Sequence, residues 1–281
     1  MFKDPTPKKV GFLFGYLKTF LYICFMNKKI VIMVTGSHRK SENHIECEQT
    51  WIPKLRKMGF DVFVALGNVD VENYGQLTLN DFKNYYEFIN EHTIQFRTFD
   101  SKVGLFDKSI KLPIQWILEN TNYEYYFRID SDSFVHPERF VNMLHENFRD
   151  FPDVDYMGCC HPWDSWNPHE KFRTSICKVG HIASGCGYMI SRKVMKIALD
   201  KMRVLQPFEF EADDWVLGRA MWENRIPLLH DSRIYFESKH KNLIRDWNNI
   251  GIPDIANSDS HLAIQHYMSG HMKEAMNKLK L

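Results

Sequence analysis

The sequence predicts an α/β domain built on one mainly parallel, twisted sheet flanked by helices. Three observations carry that expectation. Short apolar runs rich in β-branched or aromatic residues recur at 29–34 (KIVIMV), 61–66 (DVFVAL) and 125–129 (YYFRI), and continuous apolarity, rather than alternation, is what a strand covered on both faces requires. Segments with helical spacing separate these runs, as in successive βαβ units. The length of 281 residues, 44% hydrophobic and 25% charged, suits one core of this kind and excludes disordered and collagen-like classes.

Taken in order, the first strand, 29–34, ends at Thr35-Gly36, where a loop begins. A short helical stretch at about 45–51 leads to the second strand, which ends at Gly67. Asn80-Asp81 has the polar opening of a helix running to Ile89, residues 93–98 alternate like a strand, and 109–118 has helical spacing interrupted by Pro113. The strand at 125–129 runs straight into Asp130-Ser131-Asp132-Ser133. A helix at 137–148 and a strand near 155–158 follow. Next comes an irregular stretch, 160–180, whose opening HPWDSWNP combines two prolines with polar residues and reads as a loop. In sheets of this class ligands bind beyond the carboxyl ends of the strands, and the acidic triplet lies at such an end.

Composition narrows the partners. With 36 Lys+Arg against 35 Asp+Glu the formal charge is +1, and no basic stripe tracks a phosphate backbone, so nucleic acid is not an expected partner. Cysteines at 24, 47, 159, 160, 177 and 186 form neither a disulfide scaffold nor a zinc-type pair; a bridge from Cys177 or Cys186 to Cys159 or Cys160 is left open. No Asn-x-Ser/Thr sequence occurs. Residues 10–26 (VGFLFGYLKTFLYICFM) are apolar between Lys8-Lys9 and Lys28-Lys29. They are short for a span, and Lys18 near the centre would cost about 2.5–3.5 kcal/mol on insertion. Spanning a membrane, lying on one, or packing on the domain are the three placements, and residues 1–28 are set apart from a domain of 29–281.

Two carboxylates beyond a buried strand, Asp130 and Asp132, are the hard oxygen ligands a divalent cation needs. A cation there could bridge the phosphates of a nucleotide-sugar and neutralise the leaving diphosphate. Asp213-Asp214 precede an apolar stretch, which reads as a helix start with an acidic first turn. A carboxylate anchored there is also placed to take a proton from an acceptor hydroxyl. Ser184-Gly185-Cys186-Gly187, ahead of another apolar run, reads as a tight turn or a close backbone approach to a ligand.

Together these segments resemble the inverting β-1,3-glycosyltransferases that include fringe and the core 1 galactosyltransferases, a GT-A fold group. The resemblance runs through Thr50-Trp51, FRIDSDSFV (127–135), SGCGYMIS (184–191), DDWVLGRAM (213–221) and LAIQHY (262–267) with Met272 beyond. It implies a metal-dependent inverting transfer of a sugar from a nucleotide-diphosphate sugar, a UDP-sugar, to a hydroxyl of a glycan or glycoprotein. It implies Mn2+ or Mg2+ held by Asp132 as main ligand, Asp130 in support and His266 as second ligand, with His240 and His261 as alternatives to His266. Thr35, Gly36 and Asp130-Ser131-Asp132 would meet the nucleotide-sugar. Asp214 would be the base beside Asp213, and Trp163 and Trp166 an apolar platform for the acceptor. Ser131 stands where the family often has Asp, and Asp213 where Glu is common; neither change removes a required group. The resemblance leaves location open between a Golgi or ER type II membrane protein and a cytoplasmic one. Two rival readings are an aspartate-nucleophile phosphatase using Asp130, and a catalytically silent transferase-like chaperone or carbohydrate-binding protein.

Overall fold

The computed structural model describes residues 28–36, 42–68, 85–99, 107–160, 176–177, 183–202, 213–235, 260–266 and 270–281. Strand β1 (Ile30–Thr35) is followed by helices α1 (Glu42–Gln49) and α2 (Ile52–Lys57), strand β2 (Asp61–Asn68) and a hairpin of β3 (Tyr86–Asn90) and β4 (Thr93–Phe99). A π-helical turn (Asp107–Lys111) runs into α3 (Leu112–Asn120), then come β5 (Tyr125–Asp130), β6 (Phe134–Val135), α4 (Pro137–Asp150) and β7 (Tyr156–Cys160). The remainder comprises β8 (Ile176–Cys177), β9 (Ala183–Ser191), α5 (Arg192–Met202), α6 (Asp213–Glu223), β10 (Leu228–His230), β11 (Ile234–Tyr235), β12 (Ile264–Gln265) and α7 (Met272–Leu279).

Among the described residues nine strands form one sheet, ordered β3-β4-β2-β1-β5-β9-β7-β10-β8, and β11-β12-β6 form a second. The block β4-β2-β1-β5 is parallel, as the apolar runs require. Beyond it the sheet is mixed: β9 runs antiparallel to both β5 and β7. The crossover through α4 therefore leaves a one-strand gap between β5 and β7, which β9 fills.

Strand β1 shows why its sequence is apolar throughout. Ile30, Ile32 and Val34 join a core with α1, α2, α4 and α7, whereas Val31 and Met33 face a second core formed with the π-helical turn, α3, α5 and α6. Burial of each such side chain stabilises by about 1.5–3 kcal/mol. Short α2 is stopped by a Schellman-type end: Gly59, at φ 92°, and Phe60 bond back to Arg56 O and Leu55 O at 2.9 and 3.1 Å. Pro113 opens α3 rather than breaking a helix, because the first turn does not need its missing N–H.

The helix expected at 80–89 is corrected within the described residues: 86–90 form β3, paired antiparallel to β4. Asn90 Oδ1 accepts from His92 N at 2.9 Å and closes the turn. Tyr86 and Phe88, two apart, both meet the Trp116 ring, at 6.4 and 6.1 Å. That period of two is a strand's. Cys47, Cys159 and Cys186 are thiols, so Cys186 and Cys159 form no bridge. Residues 1–27 lie outside the described residues, among which no helix is long and apolar enough to cross a membrane.

Candidate metal centre and active site

The acidic loop is held from three sides. Strand β5 ends at Asp130, in register with Thr35 at the end of β1. Ser131 N then bonds Thr35 O at 3.2 Å, and Ser133 N bonds Asp130 O at 3.0 Å, which folds the chain over the strand end. From α1 and the turn after it, Cys47 Sγ donates to Ser131 O at 3.1 Å and Trp51 Nε1 to Ser133 O at 3.2 Å. From the other side, Ser133 Oγ donates to Cys186 O at 3.1 Å. Trp51, completely buried, is thus part of the loop's support.

The third candidate ligand comes from the far end of the chain. Directly after the loop, β6 pairs antiparallel with β12, matching Phe134 with Gln265 and Val135 with Ile264, while His136 N bonds Ala263 O at 2.9 Å. That ladder brings His266 to the loop: Nε2 lies 2.9 Å from Asp132 Oδ1 and 3.4 Å from Asp130 Oδ2. Beyond it, Glu46 accepts from Gly270 N and Met272 N at 2.7 and 2.8 Å and so caps α7. The ligand atoms of Asp130, Asp132 and His266 all lie within 4.8 Å of one another. Two carboxylates and an imidazole converging so closely fit a divalent cation such as Mn2+, and three protein ligands leave room for ligand oxygens. His261 is exposed, and His240 lies outside the described residues.

Electrostatics bind the trio together. Burial opposes charge on Asp130, but the Arg128 guanidinium and the His266 hydrogen bond outweigh it and hold the carboxyl below its usual range. Burial likewise favours neutral His266, yet the Asp132 charge and the hydrogen bond to Asp130 push it up to about 9. A cation bound there would compete with that proton for the imidazole.

Gly185 and Gly187 sit inside strand β9, not in the expected turn. A Cβ on Gly185 would lie 2.5 Å from Arg128 NH1 and 2.7 Å from Asp130 Oδ2, and one on Gly187 would lie 3.0 Å from Ile264 Cδ1. Both glycines answer to neighbours distant in sequence, which no local pattern announces. The close approach seen at these glycines is to protein side chains.

The second acidic pair opens α6 at Asp213, and Asp214 is buried in its first turn. Helix α6 packs on the π-helical turn, α5 and β9, within the core that takes Val31, Met33 and Tyr126. Strand alternation puts Thr35, Arg128 and Asp130 on that same face. Thr35 Oγ1 is buried and has no hydrogen-bond partner among the described residues. Gly36 is kept small by packing, since a Cβ would lie 2.7 Å from Leu66. Trp163, Trp166 and the side chain of Asp213 lie outside the described residues. Arg128, Cys47 and Glu46 were not singled out by sequence; an arginine inside an apolar strand was the one visible signal.

The class that results is an α/β glycosyltransferase. The galactosyltransferase family model matches residues 48–232, about two-thirds of the chain, and the chain belongs to that family. Strand β12 and His266 lie beyond the match. No curated protein matches the chain. Among solved structures, a glycosyltransferase involved in glycosylation of the major capsid of PBCV-1 is similar at 13% identity and TM-score 0.44, covering 89% of this chain and 98% of that one. The mannosyltransferase PcManGT from Pyrobaculum calidifontis, in complex with GDP-Man and Mn2+, is similar at 12% identity and TM-score 0.41, covering 78% and 61%. CMP:2-keto-3-deoxy-manno-octonic acid synthetase complexed with CTP is similar at 11% identity and TM-score 0.39, covering 73% and 89%. At these scores the likeness carries no function across.

Proposed function

We propose that the chain is a metal-dependent, inverting glycosyltransferase of the β-1,3 type, moving a sugar from a UDP-sugar to a hydroxyl of a glycan or glycoprotein. The observation that carries this is the convergence of Asp130, Asp132 and His266 at the carboxyl end of β5. Asp132 and His266 hold Mn2+ or Mg2+, with Asp130 in support. The bound cation supplies charge neutralisation at the leaving diphosphate. Thr35 offers its hydroxyl to the nucleotide beside Gly36 and Ser131, and Trp163 and Trp166 receive the acceptor sugar. Asp214 takes the acceptor proton as the acceptor oxygen bonds the anomeric carbon and the bond to the diphosphate oxygen breaks. One base and one displacement give inversion. Asp213 caps α6. Residues 29–281 carry this chemistry.

Against a phosphatase stands Asp130 itself, whose Oδ1 is engaged by Arg128 NH2 at 2.7 Å and whose Oδ2 lies 3.4 Å from His266 Nε2, so that neither oxygen is left open to attack phosphorus. The test is transfer and hydrolysis of a UDP-sugar panel with and without Mn2+, beside a phosphatase substrate, with the product anomer read by NMR. Mn2+-dependent transfer with inversion is expected. Phosphatase turnover without transfer would overturn the proposal.

A further inference from the structure

We infer that Arg128 sets the charge of the metal centre, cancelling one carboxylate so that the site takes a cation and a diphosphate together rather than a cation alone. The inference rests on the metal-site reading above. Arg128 stands on β5 two residues before Asp130 and is 1% exposed, and a buried charge is costly unless closely paired. Its NH2 lies 2.7 Å from Asp130 Oδ1, its NH1 donates to Gly185 O at 2.6 Å, and the guanidinium carbon sits 5.6 Å from the Tyr188 ring centroid. Well-packed hydrophobic residues often serve stability as well as a buried ion pair does. Stability alone therefore does not explain an arginine in the middle of the sheet.

Charge counting supplies a reason. Asp130, Asp132 and a neutral, metal-ligating His266 carry two negative charges, and Arg128, paired to Asp130, brings the sum to one. A divalent cation then leaves the centre positive, ready for a diphosphate. Without Arg128 the same cation leaves it neutral, a better trap for metal and a worse one for phosphate. Gly185 belongs to the device, because a Cβ there would lie 2.5 Å from Arg128 NH1. Arg128 acts through Asp130 and is a positioning residue.

A merely structural arginine and a charge-setting one differ in sign. Calorimetry on the full chain would measure Mn2+ alone, then whichever of UDP and GDP the wild type binds in saturating Mn2+. Arg128→Met and Arg128→Gln should bind Mn2+ about tenfold more tightly and the nucleoside diphosphate about tenfold more weakly, the scale of one uncompensated charge at that range. Arg128→Gln keeps an amide donor for Gly185 O in case the Met variant does not fold. Arg128→Lys should bring both affinities back to within about threefold of wild type. Parallel loss of both affinities in a folded variant would overturn the inference. So would neutral variants that both fail to fold beside a folded Lys variant, since the charge would then serve the fold. A wild type that binds neither UDP nor GDP with Mn2+ would instead bring down the metal-site reading, and the inference with it.

Discussion

One methyl group, added by Gly185→Ala, tests whether the packing behind Asp130 fixes the metal centre. The new Cβ would lie 2.5 Å from Arg128 NH1 and 2.7 Å from Asp130 Oδ2, where ordinary contact begins near 3.4 Å. Both atoms must therefore retreat by roughly 0.7–0.9 Å, well inside the steep wall of the contact potential. Neither retreats freely: Arg128 NH1 is bonded to Gly185 O at 2.6 Å, and Asp130 is held between Arg128 and His266. Overpacking of this kind costs about 1–3 kcal/mol. Moving a carboxylate that supports a metal lowers affinity by about 10–100-fold. Urea denaturation reads the first effect and Mn2+ calorimetry the second. Gly158→Ala is the control, because its Cβ would lie 2.7 Å from Ala183 Cβ and 3.0 Å from Tyr188 Cβ, touching neither carboxylate. It should lose comparable stability and keep its metal affinity. Wild-type Mn2+ binding in Gly185→Ala, or an equal loss in Gly158→Ala, would refute the reasoning.

Asp132→Ala and His266→Ala should each abolish Mn2+-dependent binding of a nucleoside diphosphate in a chain that still folds, His266→Ala with a lowered urea midpoint because it removes the partner that both carboxylates share; undiminished calorimetric binding in either removes that residue from the ligand set. Asp214→Asn cannot accept a proton, so turnover should fall about 10²–10⁴-fold with donor affinity retained, and wild-type rates would disqualify Asp214 as the base. Burial, then the Arg139 charge, pushes His136 down from 6.5 to about 4. Its neutral burial thus contributes stability above pH 6.5 that is lost as pH falls towards 4, about 3 kcal/mol in all. Urea titrations of His136→Gln should flatten over that window, and an unchanged slope would show that other groups govern it.

What the sequence made legible followed from local causes. Strands β1, β2 and β5 announced themselves because a strand covered on both faces has no polar side to show. Strand β3 did not, because it lies at the edge of the sheet with Glu87, Phe88, Ile89 and Asn90 exposed, and partner pairing rather than burial decides its state. Helix α2 is six residues, too short to stand on propensity alone, and its Schellman end was the cue available in Gly59-Phe60. The place of β9 between β5 and β7 was not legible, because long-range pairing sets it. The demand for glycine at 185 and 187 likewise comes from side chains on β5 and β12.

The metal centre divides along the same line. Asp130 and Asp132 follow a buried strand directly, so sequence alone put two carboxylates at a ligand-binding edge. His266 rested on resemblance, since a lone histidine near a chain end says little by itself. The structure supplies the physical reason for its position: β6 begins two residues after Asp132, and its antiparallel partner β12 ends one residue before His266. Extending that ladder by one step sets position 266 opposite 133, beside the acid. A slip of one residue would turn the imidazole to the other face, so the buried pairs Ile264 with Val135 and Gln265 with Phe134 determine the ligand set as directly as the ligands do.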